Sequence, residues 1–209
     1  MNILVAALSV ALATHPTPPP PDPALLHPAS LTAKAPAQYD VAFKTTKGDF
    51  VIAVTRSWSP RGADRFYNLV KHGFFNGAPF FRVVSGFVVQ FGLSPNPAVN
   101  TAWNDAKIKD DPVVGSNRPG YVSFASAGPN SRTTQIFVDL GDNARLDGMG
   151  FSPFGKVVSG LSVVQKFYGG YGESPDQSAI AAQGKAYVQA HYPKLDRVIS
   201  AKLVPAAHH

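Results

Sequence analysis

From Tyr39 onward the apolar residues come in short runs, each bounded by Gly, Pro, Asn or Ser. Phe80 to Val84, Phe87 to Phe91, Tyr121 to Ala125 and Ile136 to Leu140 are such runs. Each is long enough for one strand and too short for a helix of ordinary length. Val41 and Phe43, then Phe50, Ile52 and Val54, alternate with smaller or polar residues around Lys47-Gly48-Asp49, which predicts a β-hairpin. Helical spacing is confined to two windows. Ser59-Pro60 reads as N-cap and first helical residue, followed by Ala63, Phe66, Tyr67 and Val70, with Gly73 closing the helix. A second helix is expected from about Asp176 to His191, stopped by Pro193. Ile199, Ala201 and Leu203 predict a last alternating strand. Many short strands with two helices imply a mainly β fold, a barrel or a sandwich, and exclude a βαβ arrangement.

The first 38 of the 209 residues are of a different kind. They hold eight of the 19 Pro and none of the 18 Gly, with Asp22 and Lys34 as the only charged side chains. Ile3 to Ala13 is an apolar run too short to span a bilayer, and Ala11-Leu12-Ala13 has the small-x-small form of a cleavage site. Residues 1–13 therefore read as a signal peptide, although no Lys or Arg precedes the run. Residues 14–38 read as a Pro-rich disordered linker, so their removal is expected to leave the domain at 39–209 intact. A periplasmic or secreted protein with no stable membrane insertion after cleavage follows. There is no Cys, which excludes disulfides and thiolate metal sites.

Several chemistries find no foothold. Gly150 and Gly155-Lys156 have the spacing of a phosphate-binding loop, but Val157 stands where a hydroxyl is needed and a strand-like run follows. The His residues lack metal-ligand spacing, so no metal or other cofactor is expected. Asp110 and Asp111 are adjacent in a loop and are expected to point apart into water. The net charge of +6 is scattered with no basic tract or aromatic cluster beside it, so no nucleic-acid partner is expected.

Three blocks do point to one family. Phe80-Phe81-Arg82-Val83-Val84-Ser85-Gly86-Phe87-Val88-Val89-Gln90-Phe91-Gly92 resembles the cyclophilin block Phe-His-Arg-Ile-Ile-Pro-Gly-Phe-Met-x-Gln-x-Gly. Ser123 to Asn130 with Thr134 to Val138 is similar to the family's Ser-Met-Ala-x-Ala-Gly-Pro-Asn and Ser-Gln-Phe-Phe-Ile. Leu146-Asp147-Gly148 with Phe154-Gly155-Lys156-Val157 resembles its Leu-Asp-Gly and Phe-Gly-x-Val. The order and approximate spacing also match, over about residues 39 to 204, and the tail from Gly172 looks like a bacterial branch. The resemblance implies a closed eight-stranded antiparallel β-barrel capped by two α-helices, and peptidyl-prolyl cis–trans isomerase activity. Departures are Ser85 in place of Pro, Phe91 in place of Gly and Arg145 in place of Trp. The stretch Met149 to Pro153 is one residue longer than the common pattern, which leaves open whether Phe151 takes the place of the family's active-site His.

An Xaa-Pro bond rotates slowly because amide resonance sets a barrier of about 18–20 kcal/mol. Twisting removes the conjugation and turns the prolyl nitrogen into a hydrogen-bond acceptor. A fixed guanidinium aimed there favours the transition state over the planar amide. Arg82 is the catalytic candidate. Phe87, Val88, Phe137 and Leu146 would wall a proline pocket, Gln90 and Gln135 would position Arg82 or the substrate, and the main chain at Ala125 and Ser126 would grip the peptide. Taken singly these residues have plainer readings: Phe87, Phe137 and Leu146 as core, Arg82 as a surface residue of a strand. The expected partners are proline-containing polypeptides, with the protein itself a monomer. The alternative is a module that binds proline segments, or a chaperone, with incidental catalysis.

Overall fold

A computed structural model describes residues 21–207. The signal peptide expected at 1–13 lies outside the described residues, as do residues 14–20. The strands are β1 (Gln38–Thr45), β2 (Gly48–Thr55), β3 (Arg82–Val84), β4 (Val88–Phe91), β5 (Tyr121–Phe124), β6 (Ile136–Asp139), β7 (Pro153–Ser159) and β8 (Val198–Val204). They form one curled sheet in the order β3-β4-β6-β5-β7-β2-β1-β8, and every pairing is antiparallel. The helices are α1 (Pro60–Lys71), α2 (Pro97–Trp103), the single turn α3 (Leu161–Val164) and α4 (Gln177–His191).

The expected hairpin is present, with Thr45 opposite Gly48 and Val41, Phe43, Phe50, Ile52 and Val54 all buried. Its inward face meets Phe66 of α1 and Phe91 of β4 in a core dominated by rings. Phe43 stacks on Phe50 at 4.7 Å, and Phe80 stacks on Phe167 at 3.9 Å. Each such ring contributes about 1.5–3 kcal/mol on burial. Val164 and Phe167 enter this core from α3 and the residues after it, whereas α4 packs outside it. Ile180 of α4 joins Phe81, Leu93 and Leu195 in a separate cluster.

Full closure of the barrel is not reached. The edge strands β3 and β8 share no ladder. They meet through a seam in which Gly77 N donates to Val198 O, Val198 N to Ala78 O and Phe80 N to Asp196 O, each at 2.9 Å. Pro79 sits in that seam opposite Arg197 and has no N–H to extend it. In β8 the alternation is broken: Val198 and Ala201 are buried while Ile199 is exposed. Lys44 faces Ser200 and Thr45 faces Val198, so Ile199 is the extra residue of a bulge.

The helices also hold differences from the sequence reading. Ser59 precedes α1, but its hydroxyl does not cap the helix. It donates instead to Asp111 Oδ2 at 2.7 Å, and Asp111 accepts from the N–H groups of Arg61 (3.1 Å) and Gly62 (2.9 Å). Asp111, expected in water, is thus buried as a remote cap, and Arg132 donates to it at 3.0 Å. Burial alone would raise its pKa, but the hydrogen bonds from Ser59, Gly62, Arg61 and Arg132 outweigh that and hold it below the usual range. Helix α2 is not expected from the sequence; it opens at Pro97, and Asn96 Oδ1 caps it by accepting from Ala98 N at 2.9 Å. In α4, Gly184 adopts φ 61° and ψ −140°, freeing Lys185 N to donate to Pro95 O at 3.0 Å. A Cβ there would lie 2.3 Å from Pro95 O, so glycine is required.

Over residues 22–38 the disordered linker gives way to a strap bound to the domain. Short 3-10 turns, Pro23–Leu26 and Pro28–Ser30, bring Leu25 into the main core at 1% exposure. Trp103 Nε1 donates to Leu25 O at 2.8 Å. Side chains of α1 serve the strap's main chain: Asn68 donates to Ala33 O (2.7 Å) and Asp64 accepts from Ala35 N (2.8 Å). Asp22 meets His72 Nδ1 at 2.8 Å. Among the described residues, no helix is long and apolar enough to cross a membrane.

Candidate functional site

The tight turn between β3 and β4 carries Phe87 and sets Arg82 opposite Gln90 in the ladder. Strand β6 lies on the other side of β4, with Gln90 opposite Phe137. This pairing puts a cation, an amide and a ring side by side. Arg82 Nη1 donates to Gln90 Oε1 at 3.3 Å, and Gln90 Nε2 donates to Gln135 Oε1 at 2.8 Å. The three form one hydrogen-bonded line. Beside it, Val88, Phe137 and Leu146 make a small buried cluster separate from the main core, with Phe87, Ala125 and Phe151 packed against it.

Phe151 meets Phe137 edge-on, with centroids 5.7 Å apart and planes at 70°. The segment that delivers it is pinned by Asp147, which accepts from Ser116 Oγ (2.6 Å), Asn117 N (2.9 Å) and Asn117 Nδ2 (2.7 Å). Asn117 Nδ2 also donates to Phe151 O at 2.9 Å. The ring of Phe87 has two guanidinium groups near it: Arg82 Cζ lies 5.3 Å and Arg145 Cζ 5.0 Å from its centroid.

Not every candidate side chain faces a common space. The Ser126 hydroxyl is turned inward, donating to Gly128 O at 2.6 Å, and it lies 3.1 Å from Ser131 Oγ. Ala125 N donates to Gln135 O at 2.9 Å, which ties the loop after β5 to the segment before β6. What these two residues offer is main chain rather than side-chain chemistry. The sequence reading missed Glu173, whose Oε1 accepts from Arg82 Nε at 2.8 Å and also from Nη2. It stands outside all three sequence blocks, and only the path of the chain after β7 brings it here.

The Phe87 turn rests on an acid. Asn143 Nδ2 donates to Phe87 O at 2.9 Å and to Asp139 Oδ1 at 2.6 Å. Gly141 passes so close beneath that a Cβ would fall 2.1 Å from Gly86 O. Asp139 is fully buried, and its Oδ2 has no hydrogen-bond partner among the described residues. Burial pushes its pKa up to about 7, against the opposing pull of Asn143. The folded form therefore keeps a proton that the unfolded chain releases near pH 4. The stability gained by holding it is present in acid and is lost as pH rises towards 7, at about 1.4 kcal/mol per unit. Melting temperature is expected to fall between pH 5 and about 7, and Asp139→Asn, which copies the neutral acid, should flatten that fall. An equally steep fall in the variant would contradict the assignment.

Comparison with known proteins gives the family and the fold. The family described as "Cyclophilin type peptidyl-prolyl cis-trans isomerase/CLD" matches residues 40–182. Peptidyl-prolyl cis-trans isomerase B of Escherichia coli is 30% identical over 173 residues, covering 78% of this chain and 98% of that protein. Peptidyl-prolyl cis-trans isomerase A of Dickeya dadantii is 34% identical over 148 residues, covering 66% of this chain and 77% of that one. The crystal structure of a Cryptosporidium parvum cyclophilin-type isomerase superposes with a TM-score of 0.61 at 18% identity, covering 81% of this chain and 99% of that one.

Proposed function

The chain belongs to the cyclophilin-type peptidyl-prolyl cis–trans isomerase family and is an isomerase of Xaa-Pro bonds, and from that premise we propose how its own residues divide the work. Arg82 is the catalytic residue: its guanidinium donates to the prolyl nitrogen as the amide twists. The observation that carries this reading is the line Arg82–Gln90–Gln135 beside the buried Val88, Phe137 and Leu146 cluster. A cation held next to an apolar cluster is what a non-covalent rotation needs. The proline ring binds against that cluster, and the charge acts only on the twisted form. Phe87 and Phe151 pack beside the cluster, and the main chain at Ala125 and Ser126 grips the peptide. Gln90 and Gln135 are positioning residues, because they reach the substrate through Arg82.

A proline-binding module in which catalysis is incidental would need the apolar cluster and not the cation. A protease-free exchange assay on a short Xaa-Pro peptide, run with the wild type and with Arg82→Ala, separates the two readings. Isomerase function requires fast exchange that depends on Arg82. Binding without fast exchange would favour the module.

We also propose that the protein is exported and works as a monomer. Support for export is the apolar run Ile3 to Ala13 ending in Ala11-Leu12-Ala13. Mass spectrometry of the native protein is expected to find a mature amino terminus near Thr14. An intact Met1 in cytosolic material would overturn export.

A further inference from the structure

We infer that Glu173 is a positioning residue for Arg82, supplied by the segment between α3 and α4; this rests on the catalytic reading of Arg82 given above. A guanidinium has five N–H donors in one plane. Here Nε and one N–H of Nη2 go to Glu173 Oε1, and one N–H of Nη1 goes to Gln90 Oε1. One N–H on each terminal nitrogen is left, so the far end of the fork is what a substrate meets. The Phe87 ring, 5.3 Å from Arg82 Cζ, braces the guanidinium from the side. Gln90 alone would leave Arg82 free to swing about a single hydrogen bond. A second anchor on the opposite edge sets the plane.

Glu173 does not hang from a loose loop. Tyr171 packs edge-on against Tyr168 and against Tyr192, both at 5.1 Å. Ser174 N (3.0 Å) and Ser174 Oγ (2.6 Å) donate to Tyr171 O, and Tyr192 OH donates to Ser174 O at 2.9 Å. Asp176 then caps α4, accepting from Ser178 N and Ala179 N. The residues on either side of Glu173 are therefore fixed, and its carboxylate reaches Arg82 from a rigid base. The Glu173 side chain is 64% exposed, so the ion pair contributes little to stability in water. Its effect lies in the ordering of Arg82. Immobilising such a side chain in advance is worth roughly three- to tenfold in rate.

Glu173→Ala is expected to lower kcat about three- to tenfold on an Xaa-Pro peptide, with KM changed less than about twofold and the melting temperature unchanged. Glu173→Gln keeps an acceptor oxygen at the same reach and should stay within about twofold of wild type. In an Arg82→Ala background, Glu173→Ala should have no further effect, because there is nothing left to position. An unchanged or raised kcat in Glu173→Ala would overturn the inference. So would a Gln variant as poor as Ala, which would assign the effect to charge, or an equal loss in the Arg82→Ala background. If Arg82→Ala is itself active, the catalytic reading falls; if Arg82 matters and Glu173 does not, only this inference falls.

Discussion

Arg82→Ala is expected to lower isomerase turnover by at least about 100-fold, the scale of losing one aligned electrostatic donor. The donor acts only when the amide is twisted, so its loss should fall on kcat, while affinity for a proline peptide changes far less. The Val88, Phe137 and Leu146 cluster is built from β4, β6 and the turn Ala144–Met149, and Arg82 is not part of it; what the substitution removes from β4 is the hydrogen bond to Gln90. Arg82→Lys should also be poor. An ammonium cannot hold Glu173 on one edge and Gln90 on the other while presenting donors at its far end. Exchange measured without a coupling protease, together with peptide titration, tests both variants. Near-normal turnover in the Ala variant would sink the catalytic role of Arg82 and leave the fold untouched.

The second large effect concerns stability. Composition alone implies that the Pro-rich start is dispensable; the structure reverses that expectation for residues 22–38. Leu25 is buried to 1% exposure in the same core as Phe74 and Trp103. Leu25→Ala is expected to cost about 2–5 kcal/mol, or roughly 5–15 °C in Tm. Removing residues up to 37 should cost at least as much. It opens the Leu25 site, strips the acceptor from Trp103 Nε1 and leaves Asn68 and Asp64 without their strap partners. Thermal melts of the full chain, Leu25→Ala and the truncated chain decide the matter. A truncated chain that melts within about two degrees of the full one would show the strap to be a passive tail.

Local patterns that carry their own periodicity were legible in the sequence. Val41, Phe43, Phe50, Ile52 and Val54 alternate because a two-strand ribbon buries one face, and that alternation is written in consecutive residues. The same holds for α1, whose apolar spacing is present and which starts at Pro60 with Ser59 as its N-cap residue, although the Ser59 hydroxyl makes no capping hydrogen bond. Ser59 is the right residue type at the right place, but a carboxylate from residue 111 outcompetes its hydroxyl for the free N–H groups. Ile199 read as inward because alternation was carried straight through β8. A bulge shifts the phase by one residue, and nothing in the strand's own sequence marks it.

The site divides in the same way. Arg82, Gln90, Phe137 and Leu146 could be named as candidates from the chain because each lies in a block whose order and spacing resemble the family's. The sequence also pointed to a mainly β fold, since many short apolar runs with Gly and Pro between them read as packed strands. Only tertiary structure decided that Glu173 grips Arg82, ninety-one positions earlier in the chain, that Asp111 caps α1, and that Leu25 fills a core the strap's composition gave no reason to expect. Each of these is a single polar or apolar group meeting a partner far away in sequence. A periodic pattern announces a face because many residues repeat it, whereas one carboxylate or one leucine acquires its role only when the folded chain sets its partner beside it.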